Sequence, residues 1–319
     1  SKHQHLPRLI TPHILPKMSP RKLVFLSDFA CEPFKGSEPE VGWQWAMQIS
    51  RFHDVTVLTR HQYRAPLEAA LKSLPADRPK PQFVYFDLPR WMERFGKGSV
   101  GLRIYYVLWQ KRVHDVINRM HQANPFDVFH HVTFATFRYP TAIWGHGVPS
   151  IWGPIGGMES TPNPLLPWCH PTSLVVEITR NLNNLIQSSR YTQFPKRAAA
   201  SSKILVSTIE TQKALADLGF ASQLMTTIGL QMDQLPYRPH RKSEGPLKLL
   251  FVGKIITLKG IDLARKALKA SGSTKTLTFI DTGNYLAAAK SLAETIVLGE
   301  RVVFVGHLPR EKVLTIYEE

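Results

Sequence analysis

Short apolar runs closed by turn residues recur along the chain: KLVFLSD (22–28), DVTVLTR (54–60), QFVYFDL (82–88), DVFHHV (127–132), PSIWGP (149–154) and KILVST (203–208). Runs that are apolar at nearly every position, rather than at every second one, predict parallel strands buried on both faces. Helix-like stretches such as VGWQWAMQISRF and YYVLWQKRVHDVINRM lie between several of them. Strand–helix alternation of this kind predicts a doubly wound α/β sheet. A polar, proline-bearing stretch, LPYRPHRKSEGP (235–246), interrupts the pattern before a new strand, LKLLFVG (247–253). The organisation expected is a disordered leader over residues 1–17, a first Rossmann-like domain over 18–240 and a second over 241–319. The second unit offers only three strands and stops at Tyr317-Glu318-Glu319, inside an expected helix, so it is expected to be incomplete.

Forty Lys and Arg against 24 Asp and Glu give a formal charge of +16, which implies an anionic partner: nucleic acid, a membrane surface or a phosphorylated substrate. No nucleic-acid motif is present and the basic residues are scattered through the α/β elements, so a nucleic-acid module is disfavoured. The two cysteines, Cys31 and Cys169, form neither a CxxC nor a metal-ligand spacing, which argues against a disulfide framework or a zinc site and for a reducing cytoplasm. No apolar run reaches the roughly 18 residues of a membrane span. The aromatic and basic residues of YYVLWQKRVHDVINRM (105–120), with Trp91 and Phe95 upstream, leave two readings, a core-packing helix or a peripheral membrane contact.

Several loops carry chemistry. Gly36-Ser37-Glu38-Pro39-Glu40 follows the first strand; Ser37 and Glu40 have capping-box spacing, and Gly36 would let the backbone approach a ligand at the positive end of a helix. Glu38 and Glu40 would repel a phosphate placed directly against them, and the loop is not GxGxxG, which weakens a nicotinamide or flavin reading. His130 and His131 end a strand where α/β folds place ligands, and period-two alternation predicts one imidazole facing the crevice and the other the packing side. The loop Trp152-Gly153-Pro154-Ile155-Gly156-Gly157-Met158-Glu159 reads as a glycine turn after the next strand. Lys254 and Lys259 flank the first helix start of the second unit, where two cations and free N–H groups can neutralise a diphosphate. No P-loop spacing and no Asp-x-Asp pair occurs, so no metal is expected.

Taken in order, GSEPEVGWQWA with HDVTVLTR, FDVFHHVTFATFRYP, GVPSIWGPIGGMESTP, STIETQKAL, LLFVGKIITLKGIDLARKAL and RVVFVGHLPREKVLTIYEE resemble the retaining glycosyltransferases of family 4. That resemblance implies the GT-B architecture of two facing Rossmann-like domains, with the donor held mainly by the second, the acceptor by the first and no cofactor beyond a nucleoside diphosphate sugar. It implies that Lys254 and Lys259, with Gly36, hold the donor diphosphate; the first of these lysines is more often Arg in the family, and Lys offers a point charge instead of a fork. It places Gly253, Gly283 and Gly306 near the donor nucleotide, and Gly156, Gly157 and Glu159 on the loop lining the substrate cleft. Many members carry a catalytic histidine where this chain has Trp152-Gly153-Pro154, and His130 or His131 takes its place. A Glu-x7-Glu pair of the family falls beyond Glu319.

The function expected is metal-independent transfer of a hexose from a nucleoside diphosphate sugar to a glycan or lipid-linked glycan hydroxyl, with retention, in cytoplasmic polysaccharide or glycolipid biosynthesis. The rivals are a sugar-nucleotide epimerase of the same fold and a non-catalytic sugar-nucleotide binder.

Overall fold

The computed structural model describes residues 20–93, 98–168, 171–188, 193–229, 247–271, 275–295 and 301–318. The expected leader, the 235–246 boundary segment, Phe95 and Cys169 lie outside these residues. The described chain divides into two compact units, one built from residues 20–157 and 193–228, the other from 158–188 and 247–318.

In chain order the first unit contains β1 (Leu23–Ser27), α1 (Ser37–Ser50), β2 (Asp54–Thr59), α2 (Arg64–Ser73), β3 (Gln82–Tyr85), α3 (Arg90–Glu93), α4 (Gly98–Ala123), β4 (Val128–His131) and β5 (Ser150–Ile155). After an excursion through α5 (Pro171–Ser188), which belongs to the second unit, it closes with α6 (Gln193–Ser201), β6 (Lys203–Val206), α7 (Ile209–Asp217) and β7 (Ser222–Leu224). The strands form one parallel sheet in the order β3-β2-β1-β4-β5-β6-β7. All six apolar runs became strands of it, as burial on both faces requires.

Alternation along β1 sorts the core. Val24 and Leu26 pack with Val55, Val57 and Ala46 of α1. Phe25 points the other way, edge-on to Phe126 and Phe129, and Phe129 meets His121 of α4. Tyr105, Tyr106, Trp109, Val113 and Ile117 of α4 are all buried, so the 105–120 segment is a core helix and not a membrane-facing one. Each such side chain contributes about 1.5–3 kcal/mol by leaving water, more than an exposed aromatic face could recover by resting on lipid part of the time. Trp152, Gly153 and Pro154 lie inside β5 and not in a turn after it. A Cβ on Gly153 would sit 2.3 Å from the Leu205 carbonyl oxygen, so only glycine lets β5 press against β6 here.

The second unit contains α5 and then β8 (Lys248–Val252), α8 (Ile261–Ala270), β9 (Thr276–Ile280), α9 (Leu286–Thr295), β10 (Val302–Gly306) and α10 (Arg310–Glu318). Its described strands form a parallel sheet in the order β10-β9-β8. Ile255, Ile261, Leu268, Leu277, Phe279, Tyr285 and Ala289 make its core, with Phe279 stacked on Phe304. Val252, Val303 and Val305, which alternate with the core positions, are exposed.

Candidate functional site

The chain reverses direction across the first sheet between the neighbouring strands β1 and β4, and α/β folds hold ligands outside the carboxyl ends of the strands at such a point. Asp28 leaves β1 there, fully buried. Thr133, just past β4, donates its hydroxyl to Asp28 Oδ1 and accepts the Ala30 N–H at 3.0 Å, so the two loops are tied to each other. Burial pushes the Asp28 carboxyl up to about 7, against the pull of its hydrogen bonds from Thr133, Cys31 and Ala30. Gly42 of α1 makes room for it, since a Cβ at that position would lie 2.2 Å from Asp28 Oδ2.

α1 starts differently from the capping box expected. Gly36, at φ 70°, is the N-cap, Ser37 follows at φ 58°, and neither side chain caps the helix. Glu40 instead reaches back and accepts the Gly36 N–H at 2.8 Å. The amide expected to approach a donor phosphate is thereby already engaged by a carboxylate. Glu38, at the surface, accepts the Phe134 N–H, and the water displaced around it raises its pKa while the Phe134 and Ala135 amides pull it down. Beside it opens a cavity of about 340 Å³ lined by Phe29, Glu38, Arg60, Tyr63, Leu102 and Phe134 among others. The Arg60 guanidinium sits 4.9 Å above the Phe29 ring and 4.8 Å above Tyr105, and its Nε lies 3.5 Å from Asp87.

The two strand-end histidines point to opposite faces, as alternation requires, but both faces are covered. His130 lies edge-on to Trp45 of α1 and its Nε2 is 2.7 Å from the Gly153 carbonyl oxygen. His131 Nε2 is 3.3 Å from the Tyr106 hydroxyl of α4. Burial holds their pKa values down to about 4 and about 3. Neither ring is exposed, which corrects the expectation that one would face the crevice, and burial favours the neutral form of both. Gly156 pairs with the post-β4 loop, donating to Ala135 O at 3.0 Å and accepting from Phe137 N–H at 3.1 Å. A Cβ on Gly157 would meet Thr136 Oγ1 at 2.1 Å, so Gly157 permits close packing against that loop. The Glu159 carbonyl accepts from Asn184 of α5 at 2.7 Å.

The carboxyl edge of the second sheet is built otherwise. Gly253, at φ 145°, ends β8 and Lys254 follows it, exposed. A short 3-10 turn ends at the exposed Lys259, and Gly260, at φ 71°, opens α8. The next two strand ends join the same edge: Ile255 N–H donates to Thr282 O at 3.0 Å, and Asp281 N–H to Gly306 O at 2.8 Å. A Cβ on Gly283 would lie 2.2 Å from Ile255 O, whereas Gly253 and Gly306 face open space. Asp281 accepts from Thr282 N–H at 2.7 Å and lies 3.2 Å from His307 Nδ1. The structure thus brings Lys254, Lys259, Gly253, Gly283 and Gly306 to one edge beside a helix start, an arrangement suited to an anion. Among the described residues no group of three His, Cys, Asp or Glu could hold a metal ion, and no helix is long and apolar enough to cross a membrane.

Sequence reasoning missed Asp28, Thr133 and Arg60. The position of Asp28 directly after β1 was the available signal, because that is where strand-end ligand groups sit; Thr133 and Arg60 meet their partners only through the tertiary fold.

No protein-family model and no curated protein matches the chain by sequence. Solved structures do match in shape. The apo form of the lipopolysaccharide outer core galactosyltransferase WaaB superposes with a TM-score of 0.51 over 93% of this chain and 71% of that one, at 10% identity. Anabaena Alr3699/HepE in complex with UDP-glucose does so at 0.50, over 90% and 70%, also at 10% identity. The fold is that of the GT-B glycosyltransferases. GT-B chains carry two Rossmann-like units, and both sheets of this chain, each parallel with its helices between strands, are of that kind.

Proposed function

We propose that the chain transfers a hexose from a nucleoside diphosphate sugar to a hydroxyl of a glycan or lipid-linked glycan, with retention, as the glycosyltransferases of family 4 do, on the cytoplasmic side of polysaccharide or glycolipid synthesis. The observation that carries this reading is the cationic, glycine-lined edge of the second sheet, where Lys254 and Lys259 stand exposed around the start of α8. The donor diphosphate sits against these two ammonium groups and the first α8 amides, with the nucleoside towards the open backbone at Gly253 and Gly306. The solved complex of the GT-B protein HepE with UDP-glucose supports a sugar nucleotide as the ligand class.

In the reaction the bond from the anomeric carbon to the diphosphate oxygen breaks and the acceptor oxygen bonds to that carbon on the same face. The acceptor proton passes to the departing phosphate oxygen, so no protein carboxylate need act as nucleophile. Lys254 and Lys259 stabilise the charge that grows on the leaving diphosphate. The Glu38 cavity of the first unit, with its aromatic walls and Arg60, fits a hydroxyl-rich acceptor, and Glu38 can accept a hydrogen bond from it. The test is a calorimetric titration of the purified chain with a panel of nucleoside diphosphates and their sugars, followed by assay of sugar release and of product anomer. Binding of at least one nucleoside diphosphate, with the donor anomer kept in the product, is expected. No binding by any member of the panel overturns the reading, and turnover of donor without acceptor into a stereoisomeric sugar nucleotide would make the chain an epimerase.

A further inference from the structure

α5 is folded inside out. Its 18 residues carry only two charged side chains, Glu177 and Arg180, and these face inward and pair with each other. Ser173, Glu177 and Asn184 are buried. Thr161 holds this polar side from the loop before the helix: its hydroxyl donates to Glu177, its N–H donates to Asn181 Oδ1 at 3.0 Å, and its carbonyl accepts from Asn181 at 3.2 Å. Asn184 adds hydrogen bonds to Glu159 O at 2.7 Å and to Ser160 Oγ at 3.0 Å. The apolar side therefore points outward. Val175, Ile178, Leu182, Leu185 and Ile186, spaced 3, 4, 3 and 1 apart, fall on one stripe of the helix, with Val176 on its flank. Their exposures run from 51% for Val176 and Ile186 to 69% for Leu185. An ordinary surface helix does the reverse, and the hydrogen bonds on the polar side hold this one against rolling over.

We propose that this stripe seats the protein on the surface of an anionic lipid bilayer, with α5 lying in the plane of the interface. Two observations select lipid over a second copy of the chain. Val175, Ile178, Leu182, Leu185 and Ile186 are all aliphatic and no exposed charge adjoins them among the described residues of α5; the exposed Thr179 and Asn183 separate them from Val176, with the Thr179 hydroxyl turned back onto the Val175 carbonyl at 2.8 Å, whereas protein interfaces carry a fuller polar rim. With Val176, six aliphatic side chains of one helix are more than half exposed, a contiguous patch that marks an interaction or membrane site, yet six residues are far fewer than the roughly 20–30 that each partner contributes to a standard protein interface. The formal charge of +16 supplies attraction to acidic headgroups. α5 is not among helices long and apolar enough to cross the bilayer, so it lies on the membrane. The idea does not depend on the donor-site reading, because it uses neither lysine of that edge, and it places a lipid-borne acceptor within the enzyme's reach.

The experiment is flotation of the purified chain with vesicles of phosphatidylcholine alone and of phosphatidylcholine mixed with phosphatidylglycerol, at low and high salt. Binding to the mixed vesicles is expected, stronger than to phosphatidylcholine alone and weakened by salt. The double variant Ile178→Asp/Leu182→Asp should bind at least ~10-fold more weakly with an unchanged far-UV spectrum and melting profile. Leu182→Trp gives a second reading that needs no loss of binding: its emission should shift to the blue and be quenched by lipids brominated near the headgroup. Absence of binding to the mixed vesicles at low salt, equal binding by the double variant, or a Leu182→Trp emission unchanged by lipid would overturn the proposal. So would concentration-dependent self-association of the wild type without lipid that the double variant loses, because the stripe would then belong to a second copy.

Discussion

The carboxyl edges of the two sheets occupy equivalent places in their units and have opposite characters. At the β1/β4 edge the groups that could meet a ligand already meet each other: Glu40 takes the Gly36 amide, Glu38 takes the Phe134 amide, and Asp28 and Thr133 join the two loops. At the β8–β9–β10 edge Lys254 and Lys259 are exposed and the backbone at Gly253 and Gly306 borders open space. The first edge is ordered by its own hydrogen bonds and offers a shaped cavity with a carboxylate. The second keeps positive charge available, which is the preorganised element a departing diphosphate needs.

Substitutions can break this contrast. The largest effect is expected from Gly42→Ala, whose Cβ would meet Asp28 Oδ2 at 2.2 Å and Ala30 O at 2.7 Å. Overpacking against a buried carboxyl and a backbone oxygen should destabilise by ~3 kcal/mol; chemical denaturation checks it, and a wild-type midpoint would mean that the closed edge has slack.

Next in size is the dependence of stability on pH. His130 and His131 have folded pKa values of about 4 and about 3, below their ordinary 6.5. The unfolded chain therefore binds more protons, and the stability they support is lost as pH falls from about 6.5. Asp28 works the other way: its folded value of about 7 lies above 3.8, so its contribution is full below about 4 and is lost as pH rises through about 7. Two histidines against one aspartate leave a net rise of ~1 kcal/mol per pH unit between about 4 and 6.5, then a shallow fall through 7. Denaturation midpoints measured across this range test the shape, and Asp28→Asn should abolish the fall above 6.5 and make the rise below it about twice as steep, because the two histidines are then unopposed.

A smaller effect on a different observable belongs to the open edge. Lys259→Ala should weaken nucleoside diphosphate binding by ~10- to 100-fold, and Lys254→Ala by less, with neither changing thermal stability. Unchanged affinity in both variants would remove the phosphate assignment. The smallest effect should come from Gly36→Ala: the added methyl enters open space, so only the backbone is penalised, since φ 70° with ψ 174° is a region nearly restricted to glycine, at about 1–2 kcal/mol. A loss as large as that of Gly42→Ala would show that the N-cap is crowded.

The strands were legible because parallel strands covered on both faces must be apolar at consecutive positions, as in LVFLS and DVTVLT. β7 was not, since Ser222–Leu224 is a three-residue edge strand with exposed side chains. The two lysines were legible from their place after β8, where strand, loop and helix follow in sequence. The burial of both histidines was not legible, because period two tells which faces they take but not that α1 and α4 cover both. The N-cap fell one residue earlier than Ser37, because consecutive positive φ values at Gly36 and Ser37 are a property of the folded loop. α5 escaped the sequence reading because its polar residues, normally a sign of solvent, are held by Thr161, the Glu159 carbonyl and the Ser160 hydroxyl.

Hydrogen exchange of the chain with and without a saturating nucleoside diphosphate sugar tests the central claim most directly. Protection should appear in peptides spanning 251–262, 279–285 and 304–308, with peptides spanning 34–42 and 128–137 unchanged by donor alone. Protection confined to 34–42 and 128–137, or none anywhere at a ligand concentration that calorimetry shows to be saturating, would contradict the account.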